Sequence, residues 1–279
     1  MRFALSAEQV DFGGVLHGFL DGGRRDLGAL GVEDVCDPVD LVVVFEELGH
    51  HAVGGPVVET YAVWPALVGG DGAGSLIGID GGTVSVAFPR HAPHAVEADR
   101  YYLVEGTILR EAIPLSPLPS LDPARPLVEL TGGSVLASGV PAARAFDLGV
   151  LACSAQLLGL GRAMLELTTA HAKARAQFGK PIGSFQAVKH HLANVLIGLE
   201  LARPLVFGAA VTTDPRDVSA AKVAASEAAW RAARTALQVH GAIGYTAEYE
   251  LSRFLLLTRA LRGAWGSLSF HRTRVLEAL

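Results

Sequence analysis

Only two of the 279 residues are cysteine, Cys36 and Cys153, far apart in the chain and both in apolar surroundings. With no Cys-x-x-Cys pair, a disulfide scaffold, a thiol redox motif and a cysteine-built zinc knuckle are all excluded. A reducing, cytoplasmic setting is the expectation. The chain has no basic segment leading into an apolar run at its start, so no secretory leader is expected. Its longest uncharged apolar run, Leu148 to Gly161, is shorter than the roughly 18 residues of a membrane span, so none is expected. Lysine is scarce, 4 against 19 arginines, and the net charge is −5, so nothing in the balance points to nucleic acid.

Half of the residues are hydrophobic and 18% are charged, which rules out a disordered chain. A chain of this mass buries roughly 70% of its unfolded surface without help from disulfides or metals. The net charge hides an asymmetry. Residues 1–146 hold 8 basic and 19 acidic residues, whereas 147–279 hold 15 basic and 9 acidic. Eleven of the 14 prolines fall at or before Pro141, so the second part alone has the composition of long helices. These shifts set a boundary near residue 140.

Ser6 and Gln9 stand in capping-box spacing ahead of Val10, Leu16 and Phe19 and predict a short first helix. A second is predicted from the cap Asp37 and Pro38 through Leu41, Val44, Phe45 and Leu48, stopping at Gly49. Short β-type runs follow at Thr83 to Phe88, Tyr101 to Val104 and Leu127 to Leu130, with Ile113 to Pro126 as a proline-rich extended strap. From Pro141 the 3.6-residue period predicts helices near 142–174, 184–211, 215–240, 248–262 and 267–278. Asp214-Pro215 starts one of these and Gly241 ends it, and Pro204 is expected to kink its helix.

The segment Arg175-Ala176-Gln177-Phe178-Gly179-Lys180-Pro181-Ile182-Gly183-Ser184-Phe185-Gln186 joins a helix end, an arginine, two glycines and a new helix start. Taken singly, Arg175 reads as a solvated helix-end charge and the glycines as caps. A second segment, Gln238-Val239-His240-Gly241-Ala242-Ile243-Gly244-Tyr245, changes that reading. The pair resembles the signatures of the flavin-dependent acyl-CoA dehydrogenases, the second with Ala242 in place of a glycine. The likeness is strong over about 142–279, present around Glu46-Glu47-Leu48-Gly49, and weaker between.

The resemblance implies a mostly α fold with a small β domain: an N-terminal helical region (1–68), a reduced middle β-sheet domain (69–140) and a C-terminal helical bundle (141–279). It implies FAD shared across a subunit interface, with Arg175, Phe178, Gln186, Gln238 and Gly241 reaching the adenosine and pyrophosphate of a neighbour's cofactor. An arginine suits a pyrophosphate and glycines let backbone come close.

Departures from the family decide the expected role. The family's usual glutamate base falls at Trp265, and the alternative position on the first long C-terminal helix falls at Gly149. The arginine that helps hold coenzyme A falls at Val150, although Asp147 keeps the preceding acid. The Thr-Glu-Pro and Gly-Ser-Asp type segment that cradles the flavin ring has no counterpart between Ser75 and Glu97. The resemblance therefore implies a catalytically silent subunit, inactive alone, that pairs with a full-length homologue as a heterotetramer desaturating CoA thioesters, steroid-derived ones among them. The alternatives are a homomeric dehydrogenase with a relocated base, Asp147 or Glu248, and a non-enzymatic scaffold.

Other candidates are weaker. Gly159-Leu160-Gly161 lacks a preceding strand and reads as close helix packing rather than a dinucleotide turn. The adjacent pairs His50-His51 and His190-His191 point to different helix faces and do not suit one metal. His91 and His94 read as solvated loop residues, and Glu46-Glu47 as a helix cap and surface pair.

Overall fold

The computed structural model describes residues 5–24, 26–32, 35, 37–69, 82–90 and 92–279. Its organising element is a 33-residue helix, Ala142–Ala174, whose first two-thirds carry apolar and small residues on every face. Such a helix must be surrounded, and it is. In chain order the helices are α1 (Ala7–Asp21), α2 (Pro38–His50), α3 (Trp64–Val68, preceded by a π turn at Glu59–Val63), α4 (Ala142–Ala174), α5 (Gln186–Thr212), α6 (Pro215–His240), α7 (Leu251–Gly263) and α8 (Leu268–Glu277). Helices α2, α5, α6 and α7 all pack on α4. The expected C-terminal helices are all present, with ends within three residues, and α5 runs on through Pro204.

The sheet order is β1-β3-β4-β5-β2, built from Val84–Ala87, Ala95–Val96, Arg100–Glu105, Ile108–Leu118 and Leu127–Ser138 numbered in chain order. Strand β1 is parallel to β3, and the other pairings are antiparallel. β1 stands at the edge of the order yet all four of its residues are buried, because the π turn covers it: Thr60 Oγ1 donates to the Val84 carbonyl and accepts from the Val84 amide, each at 3.0 Å. The expected strap is in part a strand, since residues 113–118 belong to β4 and pair with β5. The prolines fit because the register shifts between Pro114 and Pro117, and this end of β4 extends beyond its pairing with β3.

The capping box at Ser6 and Gln9 forms, and Asp37 and Asp214 cap α2 and α6. Gly49 does not end α2, which continues to His50 and is capped at His51. A Cβ on Gly49 would lie 2.0 Å from the Gln156 carbonyl oxygen, and one on Gly159 would lie 1.8 Å from that of Glu46. The two glycines let the backbones of α2 and α4 touch. Gly159 and Gly161 thus serve helix packing as expected, the latter meeting Leu199.

Glu46 and Glu47 are buried, not a surface pair. Glu46 accepts from Arg162 of α4 at 2.9 Å and from Arg203 of α5 at 3.1 and 3.2 Å, so one carboxylate ties three helices. Cys153 is buried and free, but its surroundings are not wholly apolar: Lys222 Nζ lies 3.0 Å from its sulfur and donates to the Leu261 carbonyl at 2.8 Å. Cys36, His91 and Ser75 to Gly81 lie outside the described residues.

Two helices, α4 and α5, are long and apolar enough to cross a membrane by length and mean hydropathy, although each carries scattered charges that keep the uncharged runs short. In α4 83% of the apolar window is buried inside the fold, whereas in α5 only 39% is. Leu196, Ile197, Leu201 and Leu205 leave an exposed apolar stripe on α5.

Gly159→Ala is expected to destabilise the protein by about 3 kcal/mol or more, because the methyl meets backbone that cannot step aside. Gly208→Ala, in the same bundle but with open space around its Cβ, should stabilise by about 0.5 to 1 kcal/mol. Urea unfolding of the two variants checks both signs.

Candidate functional site

Helix α4 ends at Arg175, and the chain turns through a two-residue hairpin, Ala176–Gln177 against Lys180–Pro181, before re-entering helix at Gln186. The hairpin's central residues, Phe178 (φ 53°) and Gly179 (φ 76°), both have left-handed backbone, as a tight turn of this kind requires. Glycine takes that geometry freely. Phenylalanine does not, and its ring is 91% exposed, so neither local backbone preference nor burial within this chain explains it.

The second motif closes α6, where Gly241 (φ 64°) is the cap and Gln238 is exposed. The two motifs meet through stacked imidazoles: His171, one turn before Arg175, lies against His240 with centroids 4.3 Å apart. His240 Nδ1 donates to the Ala236 carbonyl at 2.8 Å, and its Nε2 is buried without a partner. Burial, then the His240 ring and the Arg175 guanidinium, hold His171 below the ordinary imidazole pKa. Arg175, Gln186 and Gln238 are exposed and make no side-chain hydrogen bond or ion pair among the described residues. This end of the bundle carries polar and aromatic groups that the chain itself does not use.

The two positions that the family resemblance assigned to a base lie against each other. A Cβ on Gly149 would stand 2.8 Å from the six-membered ring of Trp265, so the indole occupies the space over Gly149. Trp265 is 1% exposed, has left-handed backbone (φ 58°), and accepts from His271 Nε2 at its carbonyl, 2.8 Å. Phe88 and Phe146 pack on the indole with centroids 5.8 and 5.9 Å away. Its Nε1 is buried without a hydrogen-bond partner among the described residues. The indole, Gly149 and the two phenyl rings form an apolar plug.

Beside the plug, a cavity of about 730 Å³ opens between the sheet and the ends of α4 and α8, lined by Phe88, Arg90, Glu105, Phe146, Phe270 and Arg274 among others. Asp147 is paired rather than free: Arg274 donates to both of its oxygens, at 2.5 and 2.9 Å. Glu248 is exposed in the turn before α7. Val150 is fully buried in the core. Sequence reasoning missed the aromatic wall and the Arg274 clamp, for Phe88, Phe146 and Trp265, like Asp147 and Arg274, lie 58 or more residues apart and follow no local period.

These features belong to an acyl-CoA dehydrogenase-type fold. Residues 139–279 match the family described as acyl-CoA dehydrogenase, C-terminal domain, and the chain belongs to the acyl-CoA dehydrogenase family. It is 30% identical to the acyl-CoA dehydrogenase IpdE2 of Mycobacterium tuberculosis over 234 residues, 81% of this chain and 72% of that protein. Its fold is shared with the Tcur3481–Tcur3483 steroid acyl-CoA dehydrogenase (TM-score 0.80, 22% identity, 97% of both chains). It is also shared with the ChsE4–ChsE5 complex of M. tuberculosis (TM-score 0.81, 20% identity, 99% of this chain and 98% of that one).

A lowered imidazole pKa means that the folded state holds fewer protons than the unfolded one. The His171 contribution to stability is therefore whole above the unfolded value near 6.5 and declines as the pH falls below it. NMR titration is expected to place His171 below 6.5, and an anion bound at Arg175 should raise it by offsetting the guanidinium charge.

Proposed function

We propose that the chain is the non-catalytic subunit of a heteromeric, FAD-dependent acyl-CoA dehydrogenase and completes the cofactor site of a full-length homologue. The observation that carries this reading is the split between its two ends: the base position is plugged by Trp265 over Gly149, while Arg175, Phe178, Gln186 and Gln238 stand exposed and uncommitted. FAD is the cofactor that goes with this family and fold.

The residues present fit one half of FAD. An exposed guanidinium suits the pyrophosphate, the exposed Phe178 ring offers an aromatic face to adenine, the two glutamines offer amide edges, and Gly241 leaves room for close backbone approach, with nothing within 4 Å of a Cβ there. At the flavin end Trp265, Phe88 and Phe146 pack as an aromatic wall beside the cavity, with no carboxylate at position 149 or 265. When bound, FAD accepts the hydride that leaves the acyl β-carbon. This chain's part is to hold the far end of the cofactor and to shape the interface, while the partner supplies the carboxylate that takes the α-proton. The apolar stripe on α5 supports assembly, because four large aliphatic side chains in contact with water need a partner surface.

The likeness to a steroid acyl-CoA dehydrogenase supports a steroid-derived CoA thioester as the substrate class of the assembly. The buried free thiol of Cys153 is compatible with work in the cytoplasm.

Purified alone, the chain is expected to carry little flavin and to leave acyl-CoA thioesters unoxidised in a dye-coupled assay, and Trp265→Glu should not change this. A yellow, active preparation overturns the reading. Co-expressed with a full-length homologue, it should form a stable complex by native mass spectrometry. Arg175→Ala in that complex should weaken FAD retention roughly ten- to a hundredfold. Unchanged flavin occupancy after dialysis, with Gln238→Ala equally silent, would show that these side chains do not reach the cofactor.

A further inference from the structure

Where α1 crosses the end of α2, three imidazoles crowd together. The ring centroids of His17, His50 and His51 are 4.7 to 5.1 Å apart. One nitrogen from each and one carboxylate oxygen of Glu47 lie within 4.8 Å of one another. The adjacent pair His50-His51, expected to face apart, is brought to one spot because His51 is the cap residue, where the chain leaves helical geometry (φ −97°, ψ 8°). His17 comes from the neighbouring helix, which no local spacing reveals.

The proton inventory of this cluster does not close with neutral side chains. A neutral imidazole has one N–H and one lone pair. His51 Nδ1 lies 2.9 Å from the Glu47 carbonyl, which only accepts, so its proton is there and the lone pair of Nε2 faces Asp21 Oδ1 at 3.1 Å. His17 has Glu47 Oε2 2.7 Å from Nδ1 and Asp21 Oδ2 3.5 Å from Nε2, so whichever nitrogen holds the proton, the single lone pair on the other meets a carboxylate. His50 Nε2 lies 2.9 Å from Glu166 Oε2, and donating there leaves the lone pair on Nδ1, which is buried without a hydrogen-bond partner among the described residues. Full protonation would place three positive rings in contact. A single dication accepts all the lone pairs at once.

We propose that His17, His50, His51 and Glu47 form a closed tetrahedral site for Zn²⁺ that bolts α1 onto the end of α2. Three imidazoles and one carboxylate, with no thiolate, suit zinc, at bond lengths of about 2.0 to 2.2 Å. Side-chain movements on the order of 1 Å close the observed spacing to that geometry. The outer contacts are those of a metal-binding histidine set: His51 donates to a backbone carbonyl and His50 to the Glu166 carboxylate, fixing which nitrogen of each faces the ion. Asp21 and Glu166 add negative charge at the rim, and the 40% exposed His17 side chain leaves an entry path. Arg162, 3.6 Å from the other Glu47 oxygen, holds that carboxylate from behind. With four protein ligands no position stays open for substrate, so the role is structural. Helix α1 needs one, because only Leu16 and Leu20 of its fifteen residues are buried.

The test uses the full chain without a histidine tag. Metal analysis after growth with zinc should find one equivalent per chain, and Co²⁺ should give the visible bands of a tetrahedral site. Zinc should raise the melting temperature by several degrees and slow proteolysis within α1, and EDTA should reverse both. His17→Ala and His50→Ala should each lower zinc affinity a hundredfold or more, and the milder Glu166→Gln, on an exposed side chain, about tenfold. His190→Ala and His191→Ala, exposed on α5, should change nothing. Absence of retained zinc, or a melting response to zinc that persists in His17→Ala, overturns the proposal. A melting temperature that depends on pH but not on metal also overturns it and assigns the cluster to protonation.

Discussion

The rest of the structure depends on the contact between two backbones, α2 and α4, at Gly49 and Gly159. Where each helix has no side chain, the carbonyl of the other takes its place. That approach brings Glu46 of α2 within reach of Arg162 on α4 and Arg203 on α5, and the buried carboxylate answers two guanidiniums. Taking a carboxylate out of water is costly unless it is paired, so the network is stable only in this one arrangement of the three helices. From this junction α4 carries the core toward the sheet at one end and the Arg175 turn at the other.

At the sheet end of α4 the chain packs aromatic rings against one another. A carboxylate at position 149 or 265 would need room, a polar neighbour and access to a reacting carbon. The structure instead holds an indole over a glycine, walled by Phe88 and Phe146, with Asp147 clamped by Arg274. At the other end Phe178 keeps an unfavourable left-handed backbone and an exposed ring whose edge-to-face neighbour is Phe185.

Much of this was legible in the sequence, wherever the controlling physics is local. The caps Ser6, Asp37 and Asp214 act on amides two or three residues away. The 3.6-residue period placed the long helices, and the two motif segments carried the family and its cofactor. Errors arose where a residue type has two uses. Gly49 read as a helix stop and is a helix contact, and Glu46-Glu47 read as surface because acids seldom lie buried without a partner that local sequence does not show. The prolines after Ile113 read as a strap, yet Pro114 and Pro117 sit in a strand at an irregular register.

Capping, periodicity and motif spacing act over a few residues along one chain, and so the caps, the long helices and the family could be read from it. Packing across the fold is what brings Trp265 over Gly149, Arg274 onto Asp147, and His17 to His50 and His51. Those contacts span 30 to more than 100 residues and depend on helix crossings, which are set by backbone approach and core packing rather than by any local pattern.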